Sequence, residues 1–267
     1  MVKRRIRTSG KKKDKSKSNA LKFLVMIILI GVILYVLIGR NNQVSLVQGF
    51  RYDSNASLLV ENGKIVVVYV GAEWCPYCAA ERWALVDALL NFGSWSNLQP
   101  IYSAPASIEP QLPNIPSVTF INASYHSDYV IFMPVELQDR YMRPLQQMNQ
   151  IQSELINKYD PQISIPFISI GGLYYRIGSG VDPTLLKGLT VEQVQKALAS
   201  KNGPIYQAVH EESQAIVKII NSLLEKRSMF LYLPYLIDVL QVSVSELSGQ
   251  ERMFFVSKLL KNLIEVI

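Results

Sequence analysis

Cysteine and histidine are both scarce in this sequence, which has two of each among its 267 residues. The cysteines are Cys75 and Cys78, and the histidines are His126 and His210. A C-x-x-C pair can be half of a zinc site, but such a site needs two further ligands, which disfavours metal binding here. Each histidine is expected to be an ordinary surface or hydrogen-bonded residue. Since 49% of the chain is hydrophobic, a buried core is expected to hold the fold together.

Acidic residues are almost absent from the first 22 positions, which hold ten Lys or Arg and a single Asp14. This segment carries a net charge of +9 while the whole chain carries +6, which leaves −3 for the remainder. The folded part therefore has no basic face for phosphates, and no nucleic-acid partner is expected. Residues 1–19 also contain almost no apolar side chains, which predicts a disordered tail.

Charged residues are missing from 23–38, and the uncharged run extends over 20–39 if Lys22 reaches to the interface. This length predicts a single transmembrane anchor. The basic residues before it place the N-terminus in the cytoplasm and the rest of the chain outside the cell membrane. A cleaved signal peptide or a buried core helix are the alternatives, but residues 40–43 contain no small-x-small cleavage site. Residues 40–57 are predicted to be a polar linker.

The two cysteines lie where a strand is expected to lead into a helix. Ile65 to Val70 is an unbroken, mostly β-branched run, and Ala79 to Phe92 is rich in Ala, Leu and Glu at helical spacing. A thiol at a helix N-terminus meets unpaired backbone N–H groups, which favour its thiolate. Outside the membrane, where conditions are oxidising, a pair without competing cysteines remains available for disulfide exchange.

Residues 66–78, ending in Ala72-Glu73-Trp74-Cys75-Pro76-Tyr77-Cys78, resemble the first strand and active-site turn of thioredoxin-fold proteins. The Pro-Tyr pair between the cysteines is typical of glutaredoxins. Ser164 to Ile170 resembles the cis-proline loop of the same superfamily. The resemblance implies an α/β, thioredoxin-like fold, preceded by the membrane anchor, with an insertion before the cis-proline loop and an α-helical extension at the C-terminus. It also implies a role for each site residue: Cys75 as nucleophile, Cys78 as resolving thiol, and Trp74, Pro76, Tyr77, Ile165 and Pro166 in substrate binding.

The predicted thioredoxin-like domain spans 58–200, with the insertion around 100–140. Pro100 to Ala104 is a candidate for the second core strand, and Ser117–Ala123 with Tyr129–Val135 is expected to form an extra hairpin near the active site. Arg143 to Tyr159 is predicted to be the second core helix, with Pro144 in its first turn.

After Pro166 the sequence contains short turn, strand and helix signals that follow one another along the chain. Gly171-Gly172 predicts a turn, Leu173–Ile177 a returning strand, and Val191–Leu198 a helix capped by Thr190. The extension, 201–267, is expected to contain three helical segments: one from Pro204 to about Arg227, one over 230–242 interrupted by Pro234, and one over 249–267.

One position departs from the thioredoxin pattern. Tyr69 stands six residues before Cys75, where thioredoxins have a buried carboxylate that moves the proton of the resolving thiol. Glu73 and Glu81 are expected on exposed surfaces, so water is a candidate proton acceptor. The absence of His between the cysteines argues against a strongly oxidising pair.

These features favour a membrane-anchored, extracytoplasmic thiol–disulfide oxidoreductase that exchanges disulfides with protein thiols through Cys75 and Cys78. It would use no cofactor and would be reset by a redox partner that the sequence does not identify. The alternative is a non-catalytic thioredoxin-like binding or scaffold module. The whole chain also resembles an uncharacterised archaeal family of anchored thioredoxin-like proteins, defined as a domain of unknown function, which adds no activity. Asn55 and Asn122 lie in glycosylation sequons.

Overall fold

The structure, a computed structural model, describes the backbone of residue 47 and of 49–244, with side chains as far as 227. The predicted tail and anchor, 1–39, and the last predicted helix, 249–267, lie outside the described residues. Residues 47–239 fall within one compact unit. No helix in the described ranges is long and apolar enough to cross a membrane. The fold is mixed α/β, with a central mixed sheet and helices packed around it.

Three sheets occur in the described part of the chain: one with six strands and two with two strands each. The strands are β1 (Arg51–Tyr52), β2 (Val60–Glu61), β3 (Lys64–Gly71), β4 (Gly93–Ser96), β5 (Gln99–Tyr102), β6 (Pro116–Thr119), β7 (Ser124–Ser127), β8 (Val130–Glu136), β9 (Phe167–Ile170) and β10 (Tyr174–Ile177).

Strand β3 lies at the centre of the large sheet and is buried along almost its whole length, as its β-branched run predicts. It pairs parallel with β8 and antiparallel with β9. The register places Gly71 opposite Glu136 and Val70 opposite Phe167. One edge of the sheet therefore contains the C-terminal ends of β3 and β8 and the start of β9. Cys75 lies at this edge, because it comes four residues after the end of β3.

Four α-helices and a short 3-10 helix, Pro183–Leu186, occur within the described ranges. The helices are α1 (Pro76–Leu89), α2 (Gln150–Tyr159), α3 (Val191–Ala199) and α4 (Pro204–Val244). The predicted strand before the cysteines, the helix after them, the Thr190 cap and the Pro204 start are confirmed.

The core has two parts. On one face of the sheet, alternate β3 residues Val66, Val68 and Val70 pack with Ile156 of α2 and with Phe167. The second part joins α1 to β6, α3 and α4, and its central members are Ala80, Trp83, Val118, Val194 and Val209. Helix α1 is thus enclosed by protein, and most of its residues are buried.

Several predictions for the insertion are wrong. Residues 99–102 do not form the second core strand: they pair with β6 in a separate two-stranded sheet, and β8 is the strand beside β3. Ser117–Ala123 and Tyr129–Val135 do not form a hairpin, because β6 pairs with β5, β7 with β4, and β8 with β3. Among the described strands, β8 pairs with β3 alone, and it is buried at Val130, Val135 and Glu136 but only half-buried over 131–134.

The second core helix is shorter than predicted. Residues 143–146 fold back along the end of β8, where the backbone amides of Leu145 and Gln146 donate to the carbonyls of Leu137 and Glu136. The helix begins after Asn149, whose side chain accepts from the amide of Gln152 in a capping box. Because of this alternative pairing, the helix starts seven residues later than predicted, at Gln150 instead of Arg143.

The ends of the described domain also differ from prediction. Residues 51–52, expected in the linker, form strand β1 and pair with β10. The helix that starts at Pro204 does not stop near Arg227 but continues through Pro234 to Val244. A proline inside a helix removes one backbone hydrogen bond without always ending the helix.

Candidate functional site

Both cysteines lie at the start of helix α1, as their spacing predicts. Cys75 is the N-cap residue, with an extended backbone, and Pro76 occupies the first helical turn. The backbone amide of Cys78 donates to the Cys75 sulfur at 3.1 Å. Both thiols are free. Cys75 retains 3% exposure and Cys78 has none, so Cys75 is the thiol that a partner can reach.

The two thiols differ in acidity. Burial raises the pKa of Cys75, but hydrogen bonds from the Cys78 thiol and from the Cys78 and Tyr77 amides lower it, with a further contribution from Arg82, and the net shift is downward. Burial and the hydrogen bond to Cys75 raise the pKa of Cys78 well above its ordinary value. The accessible thiol is therefore the one that ionises first, and the thiolate is the nucleophilic form.

The proline loop lies against Cys75, as the resemblance implies. The Ile165–Pro166 peptide bond is cis. The Cys75 thiol donates to the carbonyl oxygen of Ile165 at a sulfur–oxygen distance of 3.9 Å. Pro166 is buried while Ile165 is partly exposed. Residues 90 positions apart in sequence are thus brought together by the pairing of β9 with β3.

Trp74 and Tyr77 flank the dithiol. The Trp74 indole N–H donates to the side-chain oxygen of Gln138 at 2.9 Å, which ties it to the segment after β8. Tyr77 is 49% exposed and is free to contact a partner. All seven predicted site residues therefore lie at the edge of the sheet where β3, β8 and β9 meet.

A fully buried ion pair, which was not predicted from the sequence, interacts electrostatically with the Cys78 thiol. Arg82 of α1 donates from Nε and from Nη2 to the two carboxylate oxygens of Glu136, at 2.8 Å each. Arg82 also donates to the carbonyl of Ala72 in the turn before Cys75. Arg82 lowers the pKa of Cys78 and Glu136 raises it. Burial raises the pKa of Glu136 itself, although Arg82 opposes this shift.

Tyr69 stands six residues before Cys75, at the position where the thioredoxin resemblance predicts a buried carboxylate. Its ring is fully buried, with the Arg82 guanidinium carbon 6.0 Å from the ring centroid. Its hydroxyl has no hydrogen-bond partner among the described residues. Burial raises the pKa of Tyr69 well above its ordinary value, so this side chain is neutral. A buried carboxylate is nevertheless present in Glu136, at the end of the neighbouring strand β8.

The expectation that Glu73 and Glu81 are exposed is wrong. Glu73 is 8% exposed and accepts a hydrogen bond from the Thr119 hydroxyl at 2.7 Å. Glu81 is completely buried and accepts from Ser179 and from the amide of Gly180. A signal for this was present in the sequence, because α1 has too few polar residues to form an exposed face. Glu81, a charged residue within this helix, is therefore buried with hydrogen-bond partners.

The chain was also compared with known proteins. Residues 51–163 and 145–222 match a family model described as a domain of unknown function, DUF929. The chain belongs to the DUF929 family. The DUF929 match includes both cysteines, Pro166 and Glu136, but the family description names no activity. No curated protein and no solved structure matches the chain. In the described ranges, no group of three or more His, Cys, Asp or Glu side chains could hold a metal ion.

Proposed function

We propose that this DUF929 protein is a thiol–disulfide oxidoreductase of the thioredoxin-like fold, anchored by residues 20–39 and acting on protein thiols or disulfides outside the cell membrane. The observation that carries the proposal is the pair of free thiols at the start of α1, with opposite pKa shifts, beside the Ile165–Pro166 loop. The order in which β3, α1, the proline loop and β9 follow one another supports the thioredoxin-like assignment.

The first chemical step uses Cys75. Its thiolate attacks one sulfur of a substrate disulfide, the substrate S–S bond breaks, and a mixed disulfide forms while one substrate thiolate leaves. The backbone of Ile165 lies beside the Cys75 sulfur and can bind an extended substrate segment through strand-like hydrogen bonds. Trp74, Pro76 and Tyr77 form the rest of the substrate-binding surface.

The second step uses Cys78. Its thiol loses a proton and attacks the Cys75 sulfur, so the mixed disulfide breaks, the Cys75–Cys78 disulfide forms and the second substrate thiolate leaves. The substrate gains two electrons and the dithiol loses them, and a redox partner reverses this change. Glu136 is the group that accepts the proton from Cys78, because it is a buried carboxylate with a raised pKa that interacts electrostatically with this thiol.

The direct test is the reduction of insulin disulfides by the full chain in detergent, with dithiothreitol as electron source. We expect the protein to accelerate insulin precipitation catalytically. A chain that exchanges disulfides with no dithiol and no disulfide partner would instead be the non-catalytic binding or scaffold module, and the proposed function would fail.

The opposite pKa shifts predict selective alkylation. As pH rises, iodoacetamide should modify Cys75 first, with a midpoint below that of an ordinary cysteine, because the lowered pKa of this thiol makes its thiolate available at lower pH. Cys78 should react only in more alkaline solution. Mass spectrometry of the digested protein, sampled across the pH range, measures both midpoints.

The matched control for this titration is Cys78→Ala. Removing the Cys78 thiol takes away a hydrogen bond that lowers the pKa of Cys75, so the Cys75 midpoint should move upward. If Cys78 is alkylated first in the wild-type protein, the assignment of Cys75 as nucleophile is wrong.

A further inference from the structure

Two buried glutamates and one arginine join helix α4 to the rest of the domain. Glu81 lies in α1, Glu212 in α4 and Arg176 in β10. The side chain of Glu81 is fully buried, and that of Glu212 is 6% exposed. Arg176 donates from Nη1 to Oε2 of Glu212 at 2.5 Å. We call these three residues the acid-pair cluster.

Each carboxyl group has one oxygen with donors and one without. Oε2 of Glu81 accepts from the Ser179 hydroxyl at 2.9 Å and from the Gly180 amide at 2.7 Å. Oε2 of Glu212 accepts from Arg176. The Oε1 atoms of both glutamates are buried, and neither has a hydrogen-bond partner among the described residues. A buried oxygen without a donor is costly, so two such atoms in interacting carboxyl groups require an explanation.

The charges of the acid-pair cluster do not balance when both glutamates are ionised. Among the residues whose side chains the structure describes, Arg176 is the cation that acts on these two carboxyl groups, and its guanidinium carbon also lies 5.5 Å from the centroid of the Phe50 ring. Two buried carboxylates would thus leave one negative charge uncompensated. The space is also closed, because a Cβ on Gly180 would lie 1.9 Å from Oε2 of Glu212.

A single proton removes both problems. It neutralises the excess charge, and it supplies the donor that the two Oε1 atoms lack, as in other pairs of interacting carboxyl groups. We propose that Glu81 and Glu212 share one proton in the folded protein, and that this proton fastens α4 to α1, the helix that begins at the dithiol. Loss of the proton in alkaline solution then loosens α4.

The direction of the pKa shifts agrees with this assignment. Burial raises the pKa of Glu81, and burial together with the charge of Glu81 raises the pKa of Glu212 to about 8. In the unfolded chain both groups have ordinary values near 4.5. Between these values the folded state binds more protons than the unfolded state, so stability falls as pH rises. Because the folded state holds one more proton, the folding equilibrium constant falls by up to about tenfold for each unit that the pH rises. This fall ends above about pH 8, where the folded protein has also lost the proton.

The test is thermal unfolding of the full chain in detergent between about pH 5 and about pH 9, comparing wild type, Glu212→Gln and Glu211→Gln. The last variant is the matched control, because Glu211 is exposed and precedes Glu212 in the same helix. Wild type and control should lose stability as pH rises, since the acid pair is intact in both. In Glu212→Gln the folding equilibrium constant should depend less on pH, by up to about tenfold per pH unit, because the glutamine amide carries no titrating proton. Equal pH dependence in all three proteins would overturn the proposal.

Three further measurements test the proposal if Glu212→Gln fails to fold. Glu81→Gln removes the same shared proton and should flatten the pH dependence in the same way. In the wild-type protein, difference infrared spectra should show the stretching band of a protonated carboxyl group at neutral pH that disappears above about pH 8. Hydrogen-exchange protection of residues 204–227 should fall over the same range. Absence of the carboxyl band at neutral pH would overturn the proposal without any variant.

Discussion

Cys75→Ser is expected to lower the rate of disulfide exchange by about a thousandfold or more, to the level of the assay without protein. Serine keeps the size of the side chain, but its hydroxyl does not ionise near neutral pH and cannot form a disulfide. The hydrogen bonds that favour a thiolate at the start of α1 would then have no nucleophile to activate. Insulin reduction with dithiothreitol measures the loss.

Cys78→Ser is the informative companion to this variant. Cys75 remains as nucleophile, so the first attack should still occur, but no second thiol is present to break the mixed disulfide. The protein should therefore accumulate in covalent complexes with its substrates, visible on non-reducing gels and absent from Cys75→Ser. Full exchange activity in Cys75→Ser, or equal trapping by both variants, would contradict the proposed division of roles.

Several predictions that depend on a few neighbouring residues were confirmed. The β-branched run at Ile65 to Val70 forms β3, Cys75 caps α1, Thr190 caps α3 and Pro204 starts α4. Each of these depends on local backbone preferences, which the sequence carries within one or two helical turns. The cis bond before Pro166 was expected from family resemblance and is present.

Predictions that require a distant partner were less successful. The local sequence does not distinguish Pro100 to Ala104 from Val130 to Val135 as candidates for the strand beside β3. Only the second segment pairs with β3. Sheet pairing is decided by which strands bury the most surface together, which is a property of the whole fold. The same limit applies to Arg82 and Glu136, whose partnership spans 54 positions.

Breaking the Arg82–Glu136 pair should have the largest effect on stability. Glu136→Gln leaves the Arg82 guanidinium fully buried without a counter-charge, and removing one member of such a pair typically costs about 3–5 kcal/mol. With a urea dependence of about 2 kcal/mol per molar, the unfolding midpoint should fall by about 2 M. Fluorescence of the tryptophans, which include Trp83 in the core, follows the transition.

Two controls separate the buried charge from general damage. Arg143→Met breaks an ion pair at the surface, where the Arg143 side chain is 73% exposed, and should cost less than about 1 kcal/mol. The double variant Arg82→Met with Glu136→Leu removes both charges at once, so it should recover most of the stability lost in Glu136→Gln.

The double variant should nevertheless resolve mixed disulfides slowly, because it lacks both the proposed proton acceptor, Glu136, and the cation, Arg82, that act on Cys78. Recovery of stability together with wild-type resolution would show that the pair is structural and that Cys78 transfers its proton elsewhere.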